Sequence, residues 1–324
     1  MAAQETRLKI LTWHIHGSYL YYLSKGNFEI YLPTSEKKTE GYIGRATTFP
    51  FGENVIEVPI DQIKSLNLDC IVYQTPRNYT HDRHEILSDE QRRNVPGIYL
   101  EHDPPQQVPT DTRHPVNDPA VTVVHVTHFN RLMWDCGDSP TQVIEHGVIA
   151  PEASYTGKHD KGIVIINNLH TRGRRLGLDI FLEVRKHVPL DLIGMETESL
   201  GGLGEVLHGD LPAFIKDYRF LFNPIRYTSL GLAVIESMMT GLPVVGLATT
   251  EMVTVVRHGE TGILHTDIDL LIGEMKELIA NPGRATRLGD AGRRYALRRF
   301  NIDRFVADWY ALFHKIIHQQ MAVA

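Results

Sequence analysis

Arg172, Arg174 and Arg175 fall within four consecutive positions of a chain whose formal net charge is −6. They stand directly before Leu176 to Lys186, a stretch whose apolar spacing predicts a helix. Cationic side chains at a helix N-terminus oppose the helix dipole, so the cluster is unfavourable unless an anion balances it. An anion site is the chemistry implied, with a solvated arginine patch as the competing reading. Glu236 is the second candidate. It interrupts the apolar face formed by Leu232, Val234, Ile235, Met238 and Met239. An acidic group in a helix that follows a parallel-type strand lies near the carboxyl ends of the sheet, where open α/β sheets bind ligands; an exposed or capping helix glutamate is the alternative. His102 is the third, delivered by the strand-like run Gly97 to Glu101 and followed by Asp103-Pro104-Pro105, which stiffens the turn. Its competitor is an ordinary surface histidine, since the chain has 17 histidines.

The elements that must position these groups are legible as an alternation of short apolar runs with helical or loop segments. Leu8 to Ile15, Phe28 to Leu32, Val55 to Pro59, Asp69 to Gln74, Gly97 to Glu101 and Val121 to Thr127 are the first set of strands. His14, His16 and Gly17 stand at the end of the first. A polar segment, Pro151 to Asp160, reads as a linker. A second set follows: Gly162 to Ile166, an uninterrupted run of the kind parallel sheets bury on both faces, then Leu190 to Met195, Arg219 to Asn223 and Leu242 to Leu247. Between the last two lies a helix that Gly241, just before Pro243, should stop. Thr249-Thr250-Glu251 reads as a helix cap. Three terminal helices are expected, from Asp267 to Ala280, Pro282 to Phe300 and Ile302 to Gln320.

With 324 residues the chain is comfortable as two domains, and its 42% hydrophobic and 22% charged content is that of a globular protein rather than a disordered one. The acidic balance argues against nucleic acid as a main partner. Cys70 and Cys136 lie at no framework spacing, so neither a disulfide scaffold nor a zinc site is indicated. His125 and His128 straddle a strand end, and His81 with His84 is no stronger a metal pair. No run approaches the ~18 apolar residues of a membrane span. A reduced cytoplasm is the expected location, with peripheral membrane contact left open. The loop Ser199 to Gly204 lacks the third glycine of a dinucleotide fingerprint, which argues against NAD.

The run from Thr228 to Val245, TSLGLAVIESMMTGLPVV, resembles the signature segment of retaining GT-B glycosyltransferases of the family 4 type. Glu236 matches the second of that family's paired glutamates. Thr228, two helical turns earlier in the chain, stands where the first would be. The resemblance is specific from about Gly162 to Phe300 and weaker over the first 150 residues. It implies an α/β fold of two Rossmann-like domains facing across a cleft, with residues 1–150 on the acceptor side, 151–300 on the donor side, and a helix over 301–324 packing back on the first domain. The implied reaction is transfer of a sugar from a nucleoside diphosphate sugar to a hydroxyl acceptor, whether glycan, lipid-linked or small molecule, with retention of configuration.

By the same resemblance the arginine loop holds the donor diphosphate, Arg172 and Arg175 ranking ahead of Arg174, with Leu176 where the family carries a lysine. The helix start at Leu230-Gly231-Leu232 adds backbone donors, Glu236 accepts hydrogen bonds from the ribose, and Thr228 faces the sugar. Gly17 belongs to a glycine loop touching donor or acceptor, and the His102 loop approaches the donor sugar. The stretch Pro104 to Pro119 would be a mobile loop, and Gln142 to Val148 the turn that closes the first domain. No metal or further cofactor is implied. Two other classes compete: a nucleotide-sugar epimerase on the same fold, and a degenerate member that binds nucleotide sugar or a partner without turnover.

Overall fold

The structure is a computed structural model describing residues 7–323; residues 1–6 and Ala324, which the expected domain limits include, lie outside it. The chain divides into two compact units, one of residues 1–147 with 302–324 and the other of residues 148–301.

Unit 1 is built on a parallel sheet of β1 (Leu8–Thr12), β2 (Phe28–Thr34), β3 (Val55–Pro59), β4 (Cys70–Tyr73), β5 (Gly97–Glu101), β6 (Val121–His125) and β7 (Thr141–Val143). The spatial order is β3-β2-β1-β4-β5-β6-β7. Every residue of β4 is buried, as a strand covered on both faces requires. β7 occupies part of the stretch read from sequence as a closing turn. It is a short edge strand with half-buried residues, too brief to leave an apolar signature. The winding reverses between β1 and β4, and at such a point the following loops diverge and leave a crevice at the carboxyl ends of the strands. His14 and His16 follow β1, Gln74 follows β4 and His102 follows β5.

The helix Ile302–Val323 is part of this unit. Trp309 is fully buried, and its indole N–H donates to the Tyr19 hydroxyl at 3.0 Å. Arg304 donates to the carbonyls of Glu145 and His146. Gly147 is required by packing: a Cβ there would stand 2.1 Å from Phe305 Cβ. Truncating such an aromatic costs about 3–5 kcal/mol, so Trp309→Ala is expected to lower the urea midpoint of unit 1 by that equivalent, read by circular dichroism.

Unit 2 carries β8 (His159–Ile165), β9 (Leu190–Ile193), β10 (Tyr218–Asn223), β11 (Val244–Leu247) and β12 (Gly262–His265). They are parallel, in the order β12-β11-β10-β8-β9. The winding reverses between β8 and β10. The segment expected as a linker is tied into this unit: the amide of Tyr155 donates to Thr240 O at 3.0 Å and that of Thr156 to Lys216 O at 2.9 Å. The helix Leu232–Thr240 stops at Gly241, whose φ of +91° is the left-handed conformation that a side chain would strain. Thr249-Thr250-Glu251 is not the side-chain cap expected; Thr250 is left-handed at φ 49° and Glu251 instead accepts a hydrogen bond from the Thr254 hydroxyl. Among the described residues no helix is long and apolar enough to cross a membrane.

Candidate functional site

In unit 2 the segments after β8 and β10 flank the reversal of winding and carry the arginines, Thr228 and the start of the Leu232–Thr240 helix. The arginines do not form a plain loop before a helix. Left-handed Asn168 (φ 53°) and Gly173 (φ 57°) divide the segment into a short helix, Leu169–Arg172, and a tight turn, Gly173–Leu176. The longer helix starts only at Leu178.

Asp179 in the first turn of that helix pairs with Arg174 and accepts two hydrogen bonds from Arg226, at 2.5 and 2.8 Å. The Arg226 bonds hold its carboxyl below the usual carboxylate range. Arg226 also donates to the Arg174 carbonyl at 2.8 Å. The anion that balances Arg174 is therefore supplied by the chain itself, which weakens the sequence argument for that member of the cluster. Neither Asp179 nor Arg226 was singled out from sequence.

Arg175 differs. Its carbonyl accepts from the amides of Arg226 and Tyr227, at 3.1 and 3.2 Å, and this fixes its backbone. Its Nη1 is buried with no hydrogen-bond partner among the described residues. A buried donor left unsatisfied costs about 1–3 kcal/mol, so Arg175 retains capacity for an anionic acceptor. Burial raises the Tyr227 hydroxyl pKa and the charge of Arg175 opposes that shift. Arg172 is half-buried.

Thr228 is half-buried in the loop after β10 rather than on the helix, which begins only at Leu232; Pro224 makes the chain turn there. Leu230 is buried. Gly231 takes the N-cap position with no side-chain cap, so the first-turn amides have no side-chain acceptor. No protein atom lies within 4 Å of where a Gly231 Cβ would be. Glu236 is neither exposed nor capping. It is 6% exposed, and its Oε1 lies 3.5 Å from His208 Nδ1. Sequence reasoning missed His208, which sits in a loop with no periodicity to mark it.

In unit 1, His102 is half-buried, with its ring 3.8 Å from that of His16 and 4.9 Å from that of Tyr19. His146 meets the same tyrosine at 5.6 Å. Burial, then the neighbouring His16 and His146, holds the His102 pKa well below the usual histidine range. His14 turns away, to Gly44 O at 2.7 Å. Gly17 opens the helix Gly17–Leu23, and the structure gives it a packing reason: a Cβ there would fall 2.2 Å from the Phe49 ring.

The loop from Pro104 to Pro119, expected to be mobile, is tied down at several points. The His114 amide donates to Asp135 O at 2.8 Å, the Asp118 amide to Ser139 Oγ at 2.8 Å, and His114 meets Glu101 at 3.2 Å. Proline content alone carries no information about these partners. Among the described residues no three His, Cys, Asp or Glu side chains converge to hold a metal.

His125, fully buried beside Cys136, is held neutral. Burial, then the charges of His114 and Arg131, lowers its pKa to about 3. A histidine depressed in the fold leaves stability unchanged above about pH 6.5 and removes it as pH falls, because the unfolded chain binds the proton first. The expected loss is about 2 kcal/mol between pH 7 and pH 5. Urea unfolding at both pH values should show His125→Asn losing less than the parent by that amount.

Residues 161–281 match the family described as glycosyl transferases group 1, a span that contains the arginine segment, Thr228 and Glu236. The family signal thus falls within unit 2. Within the curated proteins, the chain is similar to MMP alpha-(1->4)-mannosyltransferase of Mycolicibacterium hassiacum, 29% identical over 126 residues, or 36% of this chain and 31% of that protein. The matching region thus spans about a third of that relative's length. Among solved structures, sucrose-phosphate synthase from Thermosynechococcus elongatus superposes with a TM-score of 0.72 at 16% identity, over 97% of this chain and 100% of that one. Anabaena HepE in complex with UDP gives 0.68 at 12% identity, over 96% and 100%. At these identities the likeness is one of fold, and the fold is GT-B, with two parallel α/β sheets of seven and five strands.

Proposed function

We propose that the chain is a retaining, metal-independent glycosyltransferase that moves a sugar from a nucleoside diphosphate sugar to a hydroxyl acceptor. The observation that carries this reading is the family match over residues 161–281, a span in which a buried, unpartnered Arg175 Nη1 after β8 and a helix start without a side-chain cap after β10 flank one reversal of winding. In this reading unit 2 holds the donor. Arg175, with Arg172, binds the diphosphate, and the backbone amides of Leu230, Gly231 and Leu232, where the chain enters the helix, add oriented donors. Charge that develops on a departing diphosphate is best stabilised by such fixed cations and dipoles, and arginines take the part a metal would otherwise play. The UDP in the HepE structure supports a nucleoside diphosphate as ligand.

Glu236, a buried carboxylate, is assigned to the ribose hydroxyls, since an ionised carboxylate only accepts hydrogen bonds. His102 and Gly17 are assigned to unit 1's side of the reaction, with glycan, lipid-linked or small alcohols as acceptors. The free, buried Cys70 and Cys136 suit a reducing cytoplasm. A thermal-shift screen of UDP, GDP and ADP tests the donor site, because a ligand at a hundred times its dissociation constant stabilises by ~2.7 kcal/mol. No shift with any of them would remove the proposal.

Thr228 favours a second reading, a nucleotide-sugar binder without turnover, because it replaces a carboxylate with a neutral hydroxyl. We assign it instead to donor choice. Thr228→Ala and Thr228→Glu are expected to change transfer rates about tenfold between sugars while affinity for the free nucleotide stays constant. Identical behaviour of both variants and the parent on every donor would remove Thr228 from the sugar site.

A further inference from the structure

His102 is the end of a hydrogen-bond chain whose direction is fixed at its other end. The Thr12 hydroxyl donates to the Val72 carbonyl at 2.9 Å, which leaves its oxygen as an acceptor. Gln74 Nε2 donates to that oxygen at 2.9 Å and to the Trp13 carbonyl at 2.7 Å. Turning the amide over would set its oxygen against the Trp13 carbonyl, so the orientation is forced. Gln74 Oε1 then faces His102 Nε2 at 3.3 Å. An amide oxygen only accepts, so Nε2 must carry the proton. Thr12 and Gln74 are buried, and the chain is shielded from water. Among the described residues nothing bonds to Nδ1.

We propose that Gln74 is a positioning residue that holds His102 as the neutral Nε2–H tautomer and presents its Nδ1 lone pair to a hydroxyl hydrogen of the substrate. The proposal rests on the glycosyltransferase reading for the identity of the ligand, but not for the tautomer. Its chemical content is selective. A lone pair accepts from an alcohol and repels phosphate or carboxylate oxygen, so the group recognised here is a sugar or acceptor hydroxyl, not an anion. The groups around the ring are consistent with neutrality: His16 and His146 oppose its protonation, Tyr19 lies edge-on to it, and Glu101, the adjacent carboxylate, is turned to His114 at 3.2 Å.

The test uses the full chain with ¹³C,¹⁵N-labelled histidine, His102 being assigned by its loss in His102→Asn. The parent should show the Nε2–H tautomer, without titration, from pH 8 to pH 5. Gln74→Glu keeps an acceptor at Nε2 but adds a charge that favours imidazolium, so His102 should titrate within that window. Transfer activity of this variant should then fall about tenfold for each pH unit below the titration point, while UDP and GDP affinity stays that of the parent.

The source of the hydroxyl is separated by adding UDP-glucose or GDP-mannose, each against its free nucleoside diphosphate, and methyl α-glucoside or methyl α-mannoside alone. A shift of Nδ1 with the nucleotide sugars assigns the donor sugar, and one with the glycosides assigns the acceptor. An Nδ1–H tautomer in the parent, a Gln74→Glu spectrum that matches the parent, or an Nδ1 that answers to inorganic phosphate or to none of these probes overturns the proposal. Failure of UDP and GDP to bind at all would strike the glycosyltransferase reading instead and leave the tautomer result standing.

Discussion

Replacing Arg172, Arg174 and Arg175 together with glutamine is expected to abolish nucleoside diphosphate binding and leave unit 2 folded. These side chains are half-buried or exposed, and none belongs to the apolar core beneath them, which includes Val164, Leu176 and Phe222. The loss should be unequal among the single variants. A hydrogen bond to a charged group contributes about 1.5–3 kcal/mol, so Arg175→Gln should weaken binding between about tenfold and a hundredfold. Arg174→Gln should cost little, because that guanidinium is exposed and already paired with Asp179, and exposed pairs contribute about 0–1 kcal/mol. Isothermal titration with UDP and GDP checks the order, and circular dichroism checks the fold. Unchanged affinity in the triple variant would falsify the diphosphate assignment.

Arg219→Met is expected to destabilise unit 2 by about 3–5 kcal/mol, the range for breaking a buried, bonded charge. Arg219 is the second residue of β10 and is 3% exposed. Its guanidinium donates to Gly157 O and Leu278 O at 3.0 Å, to Ile279 O at 2.5 Å and to Asp160 at 2.5 Å. Two of those carbonyls belong to the last turn of the helix Ile268–Ala280, where no intrahelical donor is available. One side chain thus ties the entry into β8 and a helix end to the central strand. Methionine fills much of the volume but leaves the carbonyls unsatisfied. Lysine cannot reproduce the planar fork, so Arg219→Lys should recover only part of the loss. A shift in urea unfolding below about 1 kcal/mol for Arg219→Met would contradict this account.

Arg219 also marks what the sequence withholds. Read along the chain it is one polar residue in an apolar run, and the run correctly predicts a strand. Its partners come from segments about sixty residues away on either side, and periodicity reports burial without reporting pairing. The same holds at the candidate site. The arginine cluster, Glu236 and His102 stand out by type and local spacing, and the stop at Gly241 follows from glycine preceding Leu-Pro. Asp179 and Arg226, the His208 contact with Glu236, and Gln74 behind His102 are each a pairing made by the fold between loops. β7 escaped notice because a three-residue edge strand has no alternation to read. The retained order of the Pro104 to Pro119 loop depends on bonds to Asp135 and Ser139, which its own composition cannot express.

The proposed function is sugar transfer with retention of configuration. The direct measurement is to incubate the chain with UDP- and GDP-sugar panels and simple alcohol or glycoside acceptors, with and without EDTA, and to identify the products by mass spectrometry and NMR. The expected result is a free nucleoside diphosphate and a new glycoside with the anomeric configuration of the donor, formed equally well in EDTA and lost in the triple arginine variant. A donor returned as its epimer, a glycoside of inverted configuration, or nucleotide sugars bound but unchanged with every acceptor would contradict it.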